Sequence, residues 1–401
     1  MIPKIPIAEY IMPDRKTIVQ LLKDLVAIPS VNPGFAEAPP EFTAEGALAE
    51  YLVSWARERN VICRKIESVP GRPCVLLETG PQEAPAILLS AHMDTVWTPG
   101  MKEPFALKEK GGLLSGLGVL DDKGPLAAAL TALEELNCEK LHIRFQVLAS
   151  CDEEYGLLGI KNAIPRETLP ALHIVSEPTS LRLVTACKGS ARFRVHVKGK
   201  KAHSSVPDKG ENAISRSVRL IEELEKHEKT LLRQAPHPLL GHETLTVAVI
   251  RGGTQPSIVP DKCEFLFNYR FLPGRAPEKL FAELEEVLKR TGADFRLEGA
   301  FDAAPVETSG GDPWVERMSR ILRENSLDPR CHGVPYASEA CRSAEYGIPV
   351  FLLGPGDIRT AHSPAESVDV NEILVMARLL KSFVRSVSDG PEKIVGSNTV
   401  C

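Results

Sequence analysis

Four short stretches of this chain place acids and histidines where metal-assisted hydrolysis would need them. His92-Met93-Asp94 closes an apolar run that begins at residue 86, and Asp152-Glu153-Glu154 follows the run 143–150. Glu177 follows the run 172–176, and His362 comes shortly after the run 350–353 and Gly354-Pro355-Gly356. A further pair, Asp121-Asp122, lies in a glycine-punctuated loop over 115–124. Imidazoles with carboxylates, and no thiolate among them, suit a borderline divalent cation such as zinc, or cobalt or manganese in its place. Two such ions close together need a carboxylate between them, and water in that setting becomes a nucleophile near neutral pH. The water also needs a base, so one acid of Glu153-Glu154 could take its proton while the other binds metal. Neighbours in extended chain point opposite ways, so a turn must redirect one of them. His92 and Asp94 are two apart and share a side, so the Asp94 carboxylate can accept the imidazole N–H that faces away from the metal.

Each fragment alone has an ordinary reading. A lone Asp-Glu-Glu is usually a solvated helix start, a lone histidine a surface or core residue, and a Glu before proline a turn filler. What points to a site is the ordered set, each member placed straight after an apolar run, because an open α/β sheet collects ligands at the carboxyl ends of its strands. Cys151 and Cys187 lie near the acids, but neither has a histidine placed to act as its base. Gly354-Pro355-Gly356 lacks the Lys-Ser/Thr of a phosphate loop.

The elements that must position these residues can be read from periodicity. Residues 16–27 repeat apolar side chains at helical spacing, and 42–60 do so again with Thr43 as a candidate N-cap. Strands are expected at 74–78 and 86–91, an alanine-rich helix at 125–137 that can begin at proline, and strands at 143–150 and 172–176. Continuous apolar strands separated by helices predict α/β architecture with a mostly parallel sheet flanked by helices. The middle reads differently. Alternating strands at 191–198 and 263–271, strands at 244–250 and 294–297, and helices at 212–227 and 277–290 give a strand-helix-strand-strand-helix-strand order, an α+β ferredoxin-like unit. It is inserted, because helices and a buried strand resume after Pro305 and end in a helix at 371–387. The expected domains are therefore a discontinuous catalytic domain, 1–186 with 304–401, and an inserted lid or dimerisation domain, 187–303. A polar C-terminal tail should be frayed.

Composition removes other classes. With 401 residues, 43% hydrophobic and 25% charged, the chain is globular and long enough for two domains. Its net charge of −5 argues against a nucleic-acid partner, and aromatics at 5% are too few for base-stacking platforms. No apolar run approaches the ~20 residues that span a bilayer. The start lacks the order of a signal peptide, and nine cysteines without a CxxC pair read as reduced thiols of a cytoplasmic protein.

These residues resemble the M20 metallopeptidase family, in its acetylornithine deacetylase and succinyl-diaminopimelate desuccinylase branch. The stretches that carry the resemblance are SAHMDTV, GLGVLDDKG, ASCDEE, SEPTS, KKAHSSVPDKGENAI, NYRFLPG, PYASEA and GPGDIRTAH, in family order from about residue 16 to residue 387. The resemblance implies a di-zinc amidohydrolase acting on an N-acyl amino acid. SEPTSL, CKG, RFLPG and YASEA are most similar to the acetylornithine deacetylases, which implies N2-acetyl-L-ornithine as substrate and a place in arginine biosynthesis. A desuccinylase, another deacylase or a dipeptidase would share the chemistry; a non-catalytic binding homologue would have lost a ligand or the base, and every position is filled. Position by position, His92, Asp121 and Glu177 would hold one zinc, and Asp121, Glu154 and His362 the other. Glu153 would be the general acid/base, Asp94 the partner of His92, and His203 the oxyanion donor, reaching a neighbouring subunit's site across a homodimer built on the inserted domain. Arg270 and Lys188 would grip the α-carboxylate, with Ser338 and Glu339 also at the substrate. The family's Asp-Met-Lys-Gly is Asp121-Asp122-Lys123-Gly124 here, so two acids compete for the bridge; spacing from Gly116 and Gly118 favours Asp121, and the Asp121–Asp122 bond is implied to be cis. Ser176 replaces a usual glycine, and Ser257 replaces a usual asparagine, which removes one implied substrate contact.

Overall fold

The structure is a computed structural model that describes residues 14–164 and 168–389. The frayed tail expected at the C-terminus, the chain start and Cys401 lie outside the described residues. The described residues divide into two compact units, one of residues 14–164, 168–185, 308–332 and 338–389, the other of residues 186–307 and 333–337. The short segment 333–337 thus joins the second unit, whereas the sequence reading put it in the first.

The first unit is built on a twisted sheet. Its strands run in the spatial order Ile62–Val69, Arg72–Thr79, Arg144–Ser150, Ala86–His92, Leu172–Val175, Val350–Leu352 and Leu183–Cys187. The four strands in the middle of that order pair in parallel, and the strands on both margins pair antiparallel. The central strands are buried on both sides, which is why they read as unbroken apolar runs and not as alternation. The helix Lys123–Leu136 packs against both the sheet and the helix Val370–Ser388. Nearly all of its residues are buried, and its run of alanines lets neighbouring backbones approach closely. Asp14, Asp312 and Asp369 cap three of the helices by accepting backbone N–H groups.

Two local expectations change. The helix expected over 42–60 is a short 3-10 turn, Pro40–Phe42, followed by Gly46–Glu58. Thr43 is not its cap: its hydroxyl donates to the Pro40 carbonyl, and Glu45 occupies the N-cap position. The strand Ile62–Val69 was not foreseen, because its exposed and half-buried residues at the sheet margin give no apolar signal.

The second unit is a four-stranded antiparallel sheet in the order Thr244–Gly252, Lys262–Phe271, Gly189–Lys198 and Phe295–Ala303, with the helices Ala213–Leu231 and Pro277–Lys289 packed on one face. Lys262–Phe271 alternates strictly between buried and half-exposed residues. The buried set, with Phe193 and Phe267 stacked at 5.0 Å, forms that unit's own core. Among the described residues no helix is long and apolar enough to cross a membrane.

His173 sits inside the parallel sheet, with Ser343 Oγ 2.7 Å from Nδ1 and Ser90 Oγ 2.9 Å from Nε2. Burial pulls its pKa down to about 3. The unfolded chain therefore takes the proton first as the pH falls, so stability is full above about pH 6.5 and is lost between there and pH 3, by up to ~1.4 kcal/mol per pH unit. Replacing His173 with Gln should flatten that slope. Denaturant midpoints at pH 7, 5.5 and 4.5 check this, and a wild-type-minus-variant difference that does not change with pH would remove His173 as the cause.

Candidate metal centre and active site

Parallel pairing brings the chemistry-bearing residues together. His92 ends its strand opposite Ser150, so the turn holding Asp152-Glu153-Glu154 begins beside the imidazole. On the other flank Ser90 pairs with Val175, which sets Glu177 next to His92. Gly354, just past the strand Val350–Leu352, presses on the same point: a Cβ there would lie 2.3 Å from the Glu177 carbonyl oxygen, so only glycine fits.

Asp121 lies between the two histidines. His92 Nε2 is 2.9 Å from Asp121 Oδ1, and His362 Nε2 is 3.2 Å from Asp121 Oδ2. His362 Nε2 is also 3.1 Å from Glu154 Oε1. Ligand atoms of His92, Asp121 and Glu154 all fall within 4.8 Å of one another. His362 has a left-handed backbone, φ 56°. The bond between Asp121 and Asp122 is cis.

The competition between the two aspartates is resolved by direction. The Asp122 side chain turns away from the histidine rings: its Oδ2 accepts from the His92 backbone N–H at 3.2 Å and from Ser176 Oγ at 2.6 Å. Ser176, in the place of a glycine, is thus a partner of Asp122, and one buried carboxyl ties together the segments bearing His92, Asp121 and Glu177.

Asp94 differs from the sequence reading. His92 Nδ1 is 2.8 Å from the Asp94 main-chain oxygen and 3.7 Å from its carboxylate, so the carbonyl orients the ring. The carboxylate is engaged elsewhere, accepting the backbone N–H groups of Glu153 at 3.0 Å and Glu154 at 3.1 Å and the Asn32 amide at 2.7 Å. The physical reason is that three N–H donors converge where a single imidazole N–H was expected, and the ring can be satisfied by a main-chain oxygen. Asp94 shapes the acid turn more than it shapes the histidine.

The loop carrying Asp121 is held in the same manner by Glu366, which sequence reasoning passed over. Its carboxylate accepts the N–H groups of Gly118, Leu120 and Asp121 at 3.1, 3.0 and 3.4 Å. Burial pushes its pKa up to about 7. Asn32, Glu45 and Arg72 were also missed, because nothing in their local sequence marks them. The only available cue to Glu366 was its position four residues after His362.

The electrostatics show what the cluster lacks. Burial, and then the neighbouring Glu177, raises Glu153 well above the carboxylate range; burial and Asp121 do the same to Glu177, and raise Glu154. Hydrogen bonds donated to Asp121 and Glu154 lift His362 to about 11. Burial works against a charge on His92, yet Asp121 raises it too. Asp121 stays low despite burial, because both imidazoles bond to it. Protons on the histidines would offset such a concentration of buried acids. A divalent cation would do so better, and carboxylate and imidazole atoms about 3 Å apart have the spacing of ligands sharing an ion bound at ~2.0–2.2 Å. The residues fit a metal.

Other expected residues are placed as follows. Ser338 and Glu339 are both buried in the first unit; one Glu339 carboxylate oxygen has no hydrogen-bond partner, and burial raises its pKa. Cys151 is buried with its sulfur 3.7 Å from that of Cys74, and its thiol is pushed up by that contact and by burial, so it is no nucleophile. In the second unit, His203 is exposed; its Nδ1 accepts the Ser205 backbone N–H at 3.2 Å, which leaves the proton of a neutral ring on Nε2. Lys188 is buried and donates to the His242 carbonyl, and Arg270 is half-buried on the strand Lys262–Phe271.

A sheet with acids and imidazoles gathered at its carboxyl edge, attached to a ferredoxin-like unit, is the architecture of a metal-dependent hydrolase. Residues 88–386 match the family described as Peptidase family M20/M25/M40, and the chain belongs to that family. It is similar to the acetylornithine deacetylase of Myxococcus xanthus, 35% identical over 322 residues, covering 74% of this chain and 80% of the relative. A second acetylornithine deacetylase, from Proteus mirabilis (strain HI4320), is 30% identical over 384 residues, covering 92% of this chain and 97% of the relative. Among solved structures, aminopeptidase PepT of Bacillus cereus ATCC 10987 superposes with TM-score 0.77 at 22% identity, covering 94% of this chain and 99% of that one. The YXEP protein of Bacillus subtilis, described as a dinuclear metal binding peptidase of the M20 family, does so with TM-score 0.72 at 15% identity, covering 94% and 98%. The chain is thus an M20-family hydrolase.

Metal binding should displace the protons held on His92 and His362. Zinc added to metal-free protein is expected to raise Tm by several degrees and to release protons, and His362→Asn should shrink both effects. Thermal scans and titration calorimetry in buffers of different ionisation enthalpy measure them. No rise in Tm at tenfold excess zinc would count against a metal at this cluster.

Proposed function

We propose that the chain removes the acyl group from an N-acyl amino acid, with N2-acetyl-L-ornithine and water giving L-ornithine and acetate, a reaction of arginine biosynthesis. The observation that carries the reading is the position of Asp121, one oxygen on each imidazole with acids on either side. The substrate itself is taken from the names of the relatives.

His92, Asp121 and Glu177 would hold one zinc and Asp121, Glu154 and His362 a second, with cobalt or manganese as substitutes. When bound, the metal polarises the scissile carbonyl and lowers the pKa of water at the site. Glu153 does the proton work. It accepts a proton from the attacking water and delivers it to the amine nitrogen as the carbon–nitrogen bond breaks. Its Asp94-anchored backbone keeps it aimed during both transfers, and bound cations would pull its raised pKa back towards the range of a working base. The His203 Nε2–H donates to the oxygen as negative charge develops there, supplied by a second copy in a homodimer built on the second unit. Arg270 and Lys188 offer cationic groups for the substrate's α-carboxylate, Arg270 with a forked geometry that matches it. Ser338 and Glu339 would lie at the substrate.

Glu153→Ala should reduce kcat by about 10²–10⁴-fold while metal stoichiometry stays at the wild-type level. Turnover assays alongside elemental analysis check this, and metal loss in that variant would reassign Glu153 as a ligand. His203→Ala should lower kcat by about 10²–10³-fold without loss of metal; an unchanged kcat would remove it from the oxyanion role. A panel of N-acetylornithine, N-acetylcitrulline, N-acetylmethionine and succinyl-diaminopimelate tests the substrate. The highest kcat/KM should fall on acetylornithine, and preference for the succinyl substrate would shift the assignment to desuccinylation, which needs a further cation on the acyl side.

A further inference from the structure

The turn that carries Glu153 and Glu154 begins at a residue whose backbone needs support. Asp152 has φ 63°, in the left-handed region. A side chain there is strained and persists where the surroundings over-determine it. In extended chain the two glutamates that follow would point to opposite sides, and the turn that begins here is what can redirect one of them.

The surroundings of Asp152 are unusually complete. Its N–H donates to Glu45 Oε1 at 3.2 Å. Its Oδ1 accepts from Arg72 Nη1 at 2.9 Å and from Asn32 Nδ2 at 3.1 Å. Its carbonyl accepts the N–H groups of Gly156 at 3.2 Å and Leu157 at 2.7 Å. Arg72 spends its other two nitrogens on Glu45, Nε to Oε2 at 2.7 Å and Nη2 to Oε1 at 2.5 Å. Asn32 divides its amide between two carboxylates, since the nitrogen that bonds Asp152 also donates to Asp94 Oδ2 at 2.7 Å. Asp94 in turn holds the N–H groups of Glu153 and Glu154. An unbroken chain of bonds therefore runs from a guanidinium to the backbone of both glutamates.

Stability alone does not account for this arrangement. Glu45 is fully buried and the Arg72 side chain is 13% exposed. A buried ion pair returns little over an apolar pair of the same volume, because desolvation offsets the attraction. What an arginine fork supplies that an apolar contact does not is direction, through paired N–H bonds in one plane. Here the fork grips the start of the helix Gly46–Glu58 and aims its third bond at Asp152.

We propose that Arg72, acting through Glu45 and Asp152 and linked by Asn32 to Asp94, is a positioning residue that aims Glu153 and Glu154. The proposal rests on the reading of those glutamates as proton carrier and metal ligand. Arg72 touches neither substrate nor reacting atoms, so its removal should act on the rate and not on binding.

Arg72→Ala is expected to lower kcat on N-acetylornithine by about tenfold or more, with KM within about twofold and metal content unchanged when zinc is held in saturating excess. Arg72→Lys keeps the charge but not the fork, so it should lose nearly as much. Millimolar methylguanidinium should restore part of the Arg72→Ala rate saturably, whereas urea at equal concentration should not. Glu45→Gln, which keeps the shape and one acceptor, gives the same split at smaller size if Arg72→Ala fails to fold. Backbone hydrogen exchange in metal-free protein supplies a readout independent of activity: the amides of residues 152–157 should exchange faster in Arg72→Lys than in wild type, with exchange unchanged outside that turn and the start of the helix Gly46–Glu58. A kcat within twofold of wild type in the folded variants, a loss that only tracks metal content, or unchanged exchange over 152–157 would each overturn the proposal. If wild type does not hydrolyse acetylornithine, the functional reading falls, and the exchange measurement still decides whether Arg72 holds the turn.

Discussion

Like charge packed at one edge of a sheet is the constraint to which the rest of this structure answers. Asp121, Glu153, Glu154 and Glu177 face one another with two imidazoles among them, and burial raises three of the four acids. Left in that state, the cluster must borrow protons to exist. Such a site is stable as a cation receptor and poor as anything else.

A second set of acids, none of them assigned to the metal, makes the first set possible. Asp94 gathers the N–H groups of Glu153 and Glu154, Glu366 those of Gly118, Leu120 and Asp121, and Asp122 that of His92. Each carboxyl group accepts backbone N–H groups from a different segment, so hydrogen bonds to buried acids hold the segments around the cluster together with the packing of Leu117, Val119 and Leu120. The asymmetry follows from position. Strands in the parallel core are fixed by their ladder, whereas the segments leaving their carboxyl ends have no ladder and must find acceptors elsewhere.

Much of this was legible before any fold was known, and the limits of that legibility have identifiable causes. The buried strands ending at His92 and before Asp152 and Glu177 declared themselves as unbroken apolar runs, and the second unit by alternation on residues 263–271. The margin strand Ile62–Val69 left no such trace, since a half-exposed strand carries mixed residues. Thr43 looked like a cap because its side chain suits the role, but the chain turns once more and Glu45 takes the position, with its carboxylate turned to Arg72. Asp94 was read as a partner of the His92 ring from spacing alone, which reports that two side chains share a side but not which of several donors will reach the carboxylate.

Local pattern, then, determined the elements, the order of the acids and histidines along the chain, and the side of each strand on which they stand, because those depend on periods of two and 3.6 residues. Tertiary packing alone decided that the Asp122 carboxyl turns back to the His92 backbone and Ser176, where the Asp94 carboxylate bonds, and that Arg72, Glu45 and Asn32 meet at Asp152. Hydrogen-bond partners separated by 27 to 120 positions leave no periodic signature, so no reading of neighbours in the chain can find them.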